Sequence, residues 1–228
     1  MRSTVLNLVV LISGSGSNLQ AMIDAIAAGK LHARINAVIS NRPGVKGLQR
    51  AEAAGIPALC LDHRQFDSRQ AFDHQLMQQI DQYQPDLLIL AGFMRILSDD
   101  FVAHYHGRML NIHPSLLPEF RGLNTHQRAL QAGVQQHGVS VHYVSSELDG
   151  GPLILQAVID VNNNDDPDSL QQRVHQQEHI IYPMVIEWVA RGRLQMCEQQ
   201  VYMDNQPLKQ PLIWQNNRLR AEGIKLKS

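Results

Sequence analysis

The chain has 228 residues, 44% of them hydrophobic, so it can bury the core of one sizeable α/β domain but is short for two full domains. Its formal net charge is −1, which leaves no surplus positive charge for binding nucleic acid or an anionic membrane surface. No basic-then-apolar leader opens the sequence, and no apolar run reaches the roughly 18 residues of a membrane span, so we expect a soluble, cytoplasmic protein.

In the first half of the chain, short apolar runs alternate with longer amphipathic segments. The runs TVLNLVVLI, INAVIS, IPALCL and PDLLILAG predict strands. Helices are expected after Gly16, from Leu48 to Ala54, from Ser68 to Tyr83 and from Ser98 to Tyr105. Strands separated by helices form right-handed parallel crossovers, so we predict an α/β fold with a doubly wound, mostly parallel sheet.

The pattern changes from Arg108 onward. RMLNIH predicts a strand, a helix follows near Thr125 to Ala132, and HGVSVHYV with PLILQAVIDV predicts an antiparallel extension of the sheet. A long helix is expected to begin at Asp166-Pro167 and to reach about Ala190, with Pro183 kinking it or ending its first half. VYMDNQPLK predicts a hairpin.

We assign residues 1–205 to a single domain and 206–228 to a C-terminal tail of unknown role. The tail contains Trp214, and both disorder and packing against the hairpin remain open for it. The two cysteines, Cys60 and Cys197, lack the spacing of a metal site or a disulfide framework. Because Cys60 lies in the apolar run PALCL, we predict a buried free thiol in a reducing compartment.

The stretch LVVLISGSGSNLQAM places Gly14 and Gly16 between an apolar strand and a helix that should begin near Ser17 or Asn18. Backbone N–H groups at a helix N-terminus bind anions, and glycines let a phosphate approach closely. Leu19 occupies the third glycine position of G-x-G-x-x-G, and the next strand ends without the acidic residue that contacts a ribose. The loop therefore favours a monophosphate over a dinucleotide, with a tight turn that binds no ligand as the alternative.

The stretch RMLNIHPSLLPEF places Asn111 and His113 two residues apart on one face of a strand that must end before Pro114. An amide and an imidazole at a strand's carboxyl end suit a reaction that develops negative charge on oxygen. Asp149, in the loop ELDGGP, should lie beside a neighbouring strand end. Its carboxylate would favour the imidazolium and orient the ring. A purely structural role for the Asn-His pair is the alternative.

A competing pattern lies on the predicted long helix. His175, Glu178 and His179 match H-x-x-E-H, the inverted zincin motif, in which the two histidines share one helix face. Such a site also needs a third protein ligand, which the sequence does not indicate. We therefore predict no metal here and favour a solvated helix face, or Glu178 turned into a cleft.

Taken in order and spacing, the segments SGSGSNLQAM, AGFMRIL, NIHPSLLP, HGVSVHYV, ELDGGPLILQ and QEHIIYP resemble the phosphoribosylglycinamide formyltransferases, a family of folate-dependent formyltransferases. The resemblance runs from about Leu8 to Gln200 and implies a Rossmann-like sheet. It implies transfer of the formyl group of 10-formyltetrahydrofolate, a co-substrate, to the amine of glycinamide ribonucleotide in purine biosynthesis. The protein would be a monomer or a homodimer.

The resemblance also implies roles for individual residues. Asn111, His113 and Asp149 match the family's catalytic residues, which hold the oxyanion and move the proton. Gly16, Ser17 and Asn18 match the phosphate-binding loop, and Glu178 matches an acid that contacts the ribonucleotide. The residues that match the family's folate site are Arg69, Met94, Arg95, Ile96 and Leu97. The loop from Ser145 to Gly151 would close the other side of the pterin.

One departure concerns the acceptor. After SLLP the chain has Glu119-Phe120-Arg121-Gly122, which is similar to methionyl-tRNA formyltransferase. A related formyltransferase with another acceptor, or a formyltetrahydrofolate hydrolase, is therefore kept as an alternative. More distant alternatives are a zinc hydrolase built on HQQEH and a non-catalytic nucleotide- or folate-binding module.

Overall fold

In the computed structural model, which describes residues 5–221, 223–224 and 226, the chain divides into two units, Met1–Asn111 and Ile112–Ser228. The strands that begin in the first unit are β1 (Leu6–Ile12), β2 (Ala33–Ser40), β3 (Ala58–Cys60), β4 (Leu87–Leu90) and β5 (Met109–His113), the last of which crosses the boundary. Its helices are α1 (Ser17–Ala27), α2 (Lys46–Ala53), α3 (Arg69–Asp81) and α4 (Asp99–His104). The predicted alternation of strands and helices is confirmed.

The strands of the first unit lie in the order β3-β2-β1-β4-β5, and each neighbouring pair is parallel. The strand β1 lies at the centre, and its residues from Leu8 to Ile12 have no exposed surface. An uninterrupted apolar run is expected there, because crossover helices cover both faces of a central parallel strand. The strand order reverses between β1 and β4, the point at which open α/β sheets bind ligands beyond the strands' carboxyl ends.

The second unit combines helices with antiparallel strands. Its helices are α5 (Thr125–Ala132) and α6 (Pro167–Ala190), and its strands are β6 (Gln136–Tyr143), β7 (Leu153–Asp160), β8 (Leu194–Cys197), β9 (Gln200–Met203), β10 (Gln206–Pro207), β11 (Leu212–Gln215) and β12 (Arg218–Arg220). The strands β6 and β7 are antiparallel, as predicted. The strands β8, β9 and β10 form a separate antiparallel sheet that contains the predicted hairpin.

The long helix α6 begins where the sequence predicts. The Asp166 carboxylate accepts a hydrogen bond from the Ser169 N–H at 2.7 Å, and the Ser169 hydroxyl accepts one from the Asp166 N–H at 2.9 Å. This capping box satisfies backbone donors that the first turn cannot pair internally. The expectation that Pro183 ends the first half of the helix is wrong, because α6 continues to Ala190. Pro183 and its neighbour Tyr182 are buried, so packing offsets the lost backbone hydrogen bond.

Two further expectations differ from the structure. Cys60 is free but exposed, so the prediction of a buried thiol is wrong; it is the last residue of β3, which lies at an edge of the sheet. Disorder is wrong for the residues around Trp214, because they form β11, which runs parallel to β7 with Trp214 opposite Ala157. Packing against the hairpin stays a prediction, and residues 222, 225 and 227–228 of the tail lie outside the described residues. The assignment of 206–228 as a separate tail stays a prediction. Within the described residues, no helix has the length and apolar character needed to cross a bilayer.

A pair of buried histidines connects α5 to β6 in the second unit. His126 Nδ1 lies 3.2 Å from His137 Nε2, and both side chains are buried. Removal from water disfavours the charged form of an imidazole, so burial lowers the pKa of His126 and that of His137 to about 4 each. Both rings are therefore neutral in the folded protein at neutral pH.

This pair should make the protein less stable in mild acid. In the unfolded chain both histidines titrate near 6.5, so between pH 6.5 and about 4 the unfolded state binds more protons than the folded state. The free energy of unfolding should thus fall as the pH is lowered through this window, measured as the urea midpoint at pH 7 and pH 5. Replacing one titrating ring in His126→Gln should reduce the pH dependence, whereas His74→Gln, an exposed histidine of α3, should leave it unchanged. An equal dependence in His126→Gln and the parent protein would contradict this account.

Candidate active site

His113 is the last residue of β5, and its side chain is held between two oxygen atoms of the second unit. Its Nδ1 lies 3.4 Å from Asp149 Oδ2, and its Nε2 donates a hydrogen bond to the Phe120 carbonyl oxygen at 3.0 Å. The His113 and Asp149 side chains are 8% and 9% exposed, so little water shares these contacts. A carbonyl oxygen can only accept, so the proton shared with Phe120 lies on Nε2 of His113, and Nδ1 is the nitrogen that faces the carboxylate. The predicted proximity of His113 and Asp149 is confirmed.

The two residues that supply these oxygens have unusual backbones. Phe120 has φ of 52° and Asp149 has φ of 49°, in the left-handed region that non-glycine residues rarely adopt. Asp149 is held there in part because its Oδ2 accepts a hydrogen bond from the Gly122 N–H at 3.0 Å. Such strain costs roughly 1–3 kcal/mol per residue and persists where the surrounding structure enforces it, most often at functional sites.

The segment that follows the second proline of NIHPSLLP is connected to the loop that carries Asp149. Arg121 forms an ion pair with Glu147, and Arg128 Nη1 donates to the Arg121 carbonyl at 2.6 Å. The Arg128 guanidinium also lies over the Phe120 ring, 5.6 Å from its centroid. In the sequence, Arg121 bore only on the choice of acceptor substrate. The contact of Phe120 with His113 could not be predicted, because it is made by a backbone carbonyl, which has no side-chain signature.

In the first unit, the glycine loop enters α1 as predicted. Gly16 has φ of 69°, and a Cβ on it would lie 2.6 Å from the Cα of Gly47, the second residue of α2. The Gly47 N–H donates to the Gly14 carbonyl at 3.1 Å, and Arg50 Nε donates to the Ser15 carbonyl at 2.9 Å. The glycines thus allow a close backbone contact with α2. Nothing in the sequence indicated that Gly47 and Arg50 hold the loop from that helix.

The first turn of α1 has the properties of an anion site. Across the described residues, no side chain caps this helix N-terminus and no acid lies in its first turn, which contains Ser17 and Asn18. Backbone N–H groups at the start of a helix and the positive end of the helix dipole favour a bound anion. Ser17 is half-buried and Asn18 is buried, so the turn is a rigid part of the unit.

The residues expected to bind folate in the first unit lie on two elements. Arg69 is the first residue of α3 and is exposed. Met94, Arg95, Ile96 and Leu97 form the segment between β4 and α4; Met94 is 59% and Ile96 55% exposed. The Arg95 guanidinium lies 4.6 Å from the centroid of the Phe72 ring. Two large exposed apolar side chains on one irregular segment are suited to binding an apolar ring.

Glu178 and the inverted zincin motif lie on α6 in the second unit. Glu178 is buried at 5% exposure, as expected for an acid turned away from bulk solvent. The His175 and His179 rings are stacked with centroids 6.2 Å apart. Across the part of the chain that the structure describes, no three His, Cys, Asp or Glu side chains are grouped as metal ligands would be. The motif thus lacks the third ligand within these residues, and the prediction of no metal stays a prediction.

Comparison with known proteins identifies the family. Residues 6–186 match the model of the formyl transferase family. The chain is 55% identical over 203 residues to the phosphoribosylglycinamide formyltransferase of Escherichia coli strain K12, covering 89% of this chain and 96% of that protein. A solved phosphoribosylglycinamide formyltransferase from Coxiella burnetii matches with a TM-score of 0.87 at 55% identity, over 90% of this chain and 96% of that one.

A second solved structure, glycinamide ribonucleotide transformylase 1 from Symbiobacterium toebii, has a TM-score of 0.85 at 41% identity and covers 89% of this chain and 95% of its own. The residues matched by the family model include the glycine loop, the 94–97 segment, His113 and Asp149. The family match covers most of the chain, and the sequence and structural similarities extend over nearly the whole length of the relatives. The chain belongs to the formyl transferase family.

Proposed function

We propose that this chain transfers the formyl group of 10-formyltetrahydrofolate to the amine of glycinamide ribonucleotide, a step of purine biosynthesis. The names of its relatives in Escherichia coli and Coxiella burnetii support the acceptor. The observation that carries the chemistry is the buried pair of His113 Nδ1 and Asp149 Oδ2, 3.4 Å apart at the end of β5.

In the proposed reaction, the ribonucleotide amine attacks the formyl carbon and the formyl oxygen becomes an oxyanion. The Asn111 amide and an N–H of His113 donate hydrogen bonds to that oxygen, because charge that develops in a dry site is best stabilised by donors already in place. Asp149 compensates the positive charge of the imidazolium. The attacking amine must lose a proton and the departing folate nitrogen must gain one, which His113 and Asp149 relay, directly or through water.

The structure adds one condition to this mechanism. The Nε2–H of His113 is bound to the Phe120 carbonyl at 3.0 Å, so it can reach an oxyanion only by sharing or exchanging that bond. Exchange is feasible because catalytic hydrogen bonds tighten only in the substrate complex. Phe120 thereby fixes the ring orientation in the free protein.

Binding of the two substrates is proposed for other residues. The backbone of Gly16, Ser17 and Asn18 binds the phosphate of the ribonucleotide, and Glu178 contacts the same substrate through its carboxylate. Arg69 and the segment Met94–Leu97 bind the folate. The exposure of Met94 and Ile96 supports this assignment.

The role of His113 can be tested against a matched pair elsewhere in the chain. His113→Asn should lower kcat by roughly 10²- to 10⁴-fold, since the variant loses both the charged donor and the proton carrier. His104→Asn is the control, because His104 Nε2 also faces an aspartate, Asp81, at 2.9 Å but is exposed. Steady-state formyl transfer should distinguish the two, with circular dichroism confirming that both variants fold. Near-normal kcat in folded His113→Asn would overturn the assignment.

The phosphate loop can be tested with two glycines at opposite ends of α1. Gly16→Ala introduces a Cβ against Gly47, so it should raise KM for the ribonucleotide about tenfold or more, equivalent to about 1.4 kcal/mol of lost binding. Gly29→Ala has the same positive backbone angle, 68°, but its Cβ meets nothing within 4 Å. Both variants should lose about 1 kcal/mol of stability from backbone strain, Gly16→Ala should lose more because its Cβ clashes with the Gly47 backbone, and only Gly16→Ala should change this KM. An unchanged KM in Gly16→Ala would place the phosphate elsewhere.

A further inference from the structure

The segment Met94–Leu97 is irregular in structure, but buried side chains hold the backbone at both of its ends. We propose that Ser13 and Asp73 are positioning residues that preorganise this segment for the folate. The proposal rests on the proposed function, since it assigns the segment to the formyl donor. Neither residue is expected to touch a substrate.

At the first end, the Met94 N–H donates to the Ser13 hydroxyl at 2.7 Å. The same hydroxyl donates its proton to Asn41 Oδ1 at 2.5 Å. Ser13 and Asn41 are 4% and 1% exposed and follow the ends of β1 and β2. Because Asn41 Oδ1 takes the hydroxyl proton, the oxygen of Ser13 is aimed at the Met94 amide as an acceptor.

His63 supports this chain of hydrogen bonds from behind. Its Nδ1 donates to the Asn41 carbonyl at 2.8 Å. Asn41 is thus held by its backbone as well as by its side chain, and the Ser13 hydroxyl has a fixed partner. A fixed Asn41 matters because it sets the direction of the Ser13 hydroxyl, which a mobile partner would leave free to rotate away from the Met94 amide.

At the other end, the Ser98 N–H donates to Asp73 Oδ2 at 2.6 Å. Asp73 lies on α3 and has no exposed surface, and within the described chain its Oδ1 has no hydrogen-bond partner. Burying a carboxylate with half of its acceptors unused is unfavourable for stability. The burial of Asp73 is therefore better explained by the position that its carboxylate enforces on the Ser98 backbone than by a gain in stability.

Between these two anchored amides, Arg95 packs over Phe72, the neighbour of Asp73 on α3. Met94 and Ile96 remain exposed, and holding such side chains in place without ligand costs conformational entropy. A segment that is already ordered binds its ligand more tightly, because it loses no further conformational entropy when the ligand binds. The two anchors thus convert a flexible connection into a preformed surface.

The test measures the folate and the ribonucleotide separately. Ser13→Ala and Asp73→Ala should each raise KM for 10-formyltetrahydrofolate, and Kd for the product tetrahydrofolate, by roughly three- to tenfold, the usual value of one lost hydrogen bond. The KM for glycinamide ribonucleotide and kcat at saturating folate should stay within about twofold of the parent. Ser13→Thr and Asp73→Asn, which keep an acceptor at the same place, should recover most of the folate affinity.

Two control variants separate positioning from loss of stability. Ser40→Ala removes another fully buried serine at a neighbouring strand end, one whose hydroxyl hydrogen-bonds to the backbone of Arg42, two residues along the chain. Asp81→Ala removes another aspartate of α3, one that contacts Tyr105 at the far end of α4. Both should lower the melting temperature and leave folate KM and Kd unchanged. If the controls weaken folate binding as much as Ser13→Ala and Asp73→Ala do, or if those two variants bind folate normally, the proposal is wrong.

Amide hydrogen exchange distinguishes this proposal from the proposed function. Exchange at Met94 should accelerate in Ser13→Ala and exchange at Ser98 in Asp73→Ala, in the ligand-free protein. If the parent protein binds tetrahydrofolate, and Ser13→Ala and Asp73→Ala weaken that binding as expected, but the parent formylates no ribonucleotide, only the proposed function fails. If the parent does not bind tetrahydrofolate, the positioning proposal fails as well.

Discussion

The proposed chemistry depends on one arrangement, a buried imidazole held between a carboxylate and a backbone carbonyl. His113 can occupy that position because Pro114 ends β5 immediately after it, at the strand's carboxyl end. Its ring then meets Asp149 on one nitrogen and the Phe120 carbonyl on the other. The ring is thereby oriented before any substrate arrives, which is the condition for electrostatic stabilisation without reorganisation.

Holding this arrangement requires local strain that the rest of the second unit must offset. The left-handed backbones of Phe120 and Asp149 are unfavourable by themselves, and they are connected by the Gly122 amide and by the ion pair of Arg121 with Glu147. Glu147 is largely exposed and Arg121 is half-buried, so solvent screens their pair, which adds little free energy and serves mainly to keep the two loops together. The first unit shows the same principle at Gly16, where the loop geometry depends on a close contact with Gly47.

The sequence predicted those features that depend on local pattern. The doubly wound, mostly parallel sheet, the end of β5 at His113, the glycine loop before α1 and the capped start of α6 follow from periodicity, proline and capping residues. Features that depend on the pairing of strands far apart in the sequence could not be predicted. Cys60 is exposed because β3 is an edge strand, and Trp214 lies beside β7 through a pairing across more than fifty residues. The roles of the Phe120 carbonyl and the Ser98 amide could not be predicted either, because backbone groups are the same at every position.

The most direct test of the account is whether consumption of the folate depends on the acceptor. Purified protein is incubated with 10-formyltetrahydrofolate, with and without glycinamide ribonucleotide, and both the tetrahydrofolate and the formylated ribonucleotide are quantified. The account predicts equal amounts of the two products, and no tetrahydrofolate above the uncatalysed background when the ribonucleotide is omitted. Deformylation that proceeds equally well without ribonucleotide would show a hydrolase, and would contradict the proposal that His113 and Asp149 serve transfer to an amine.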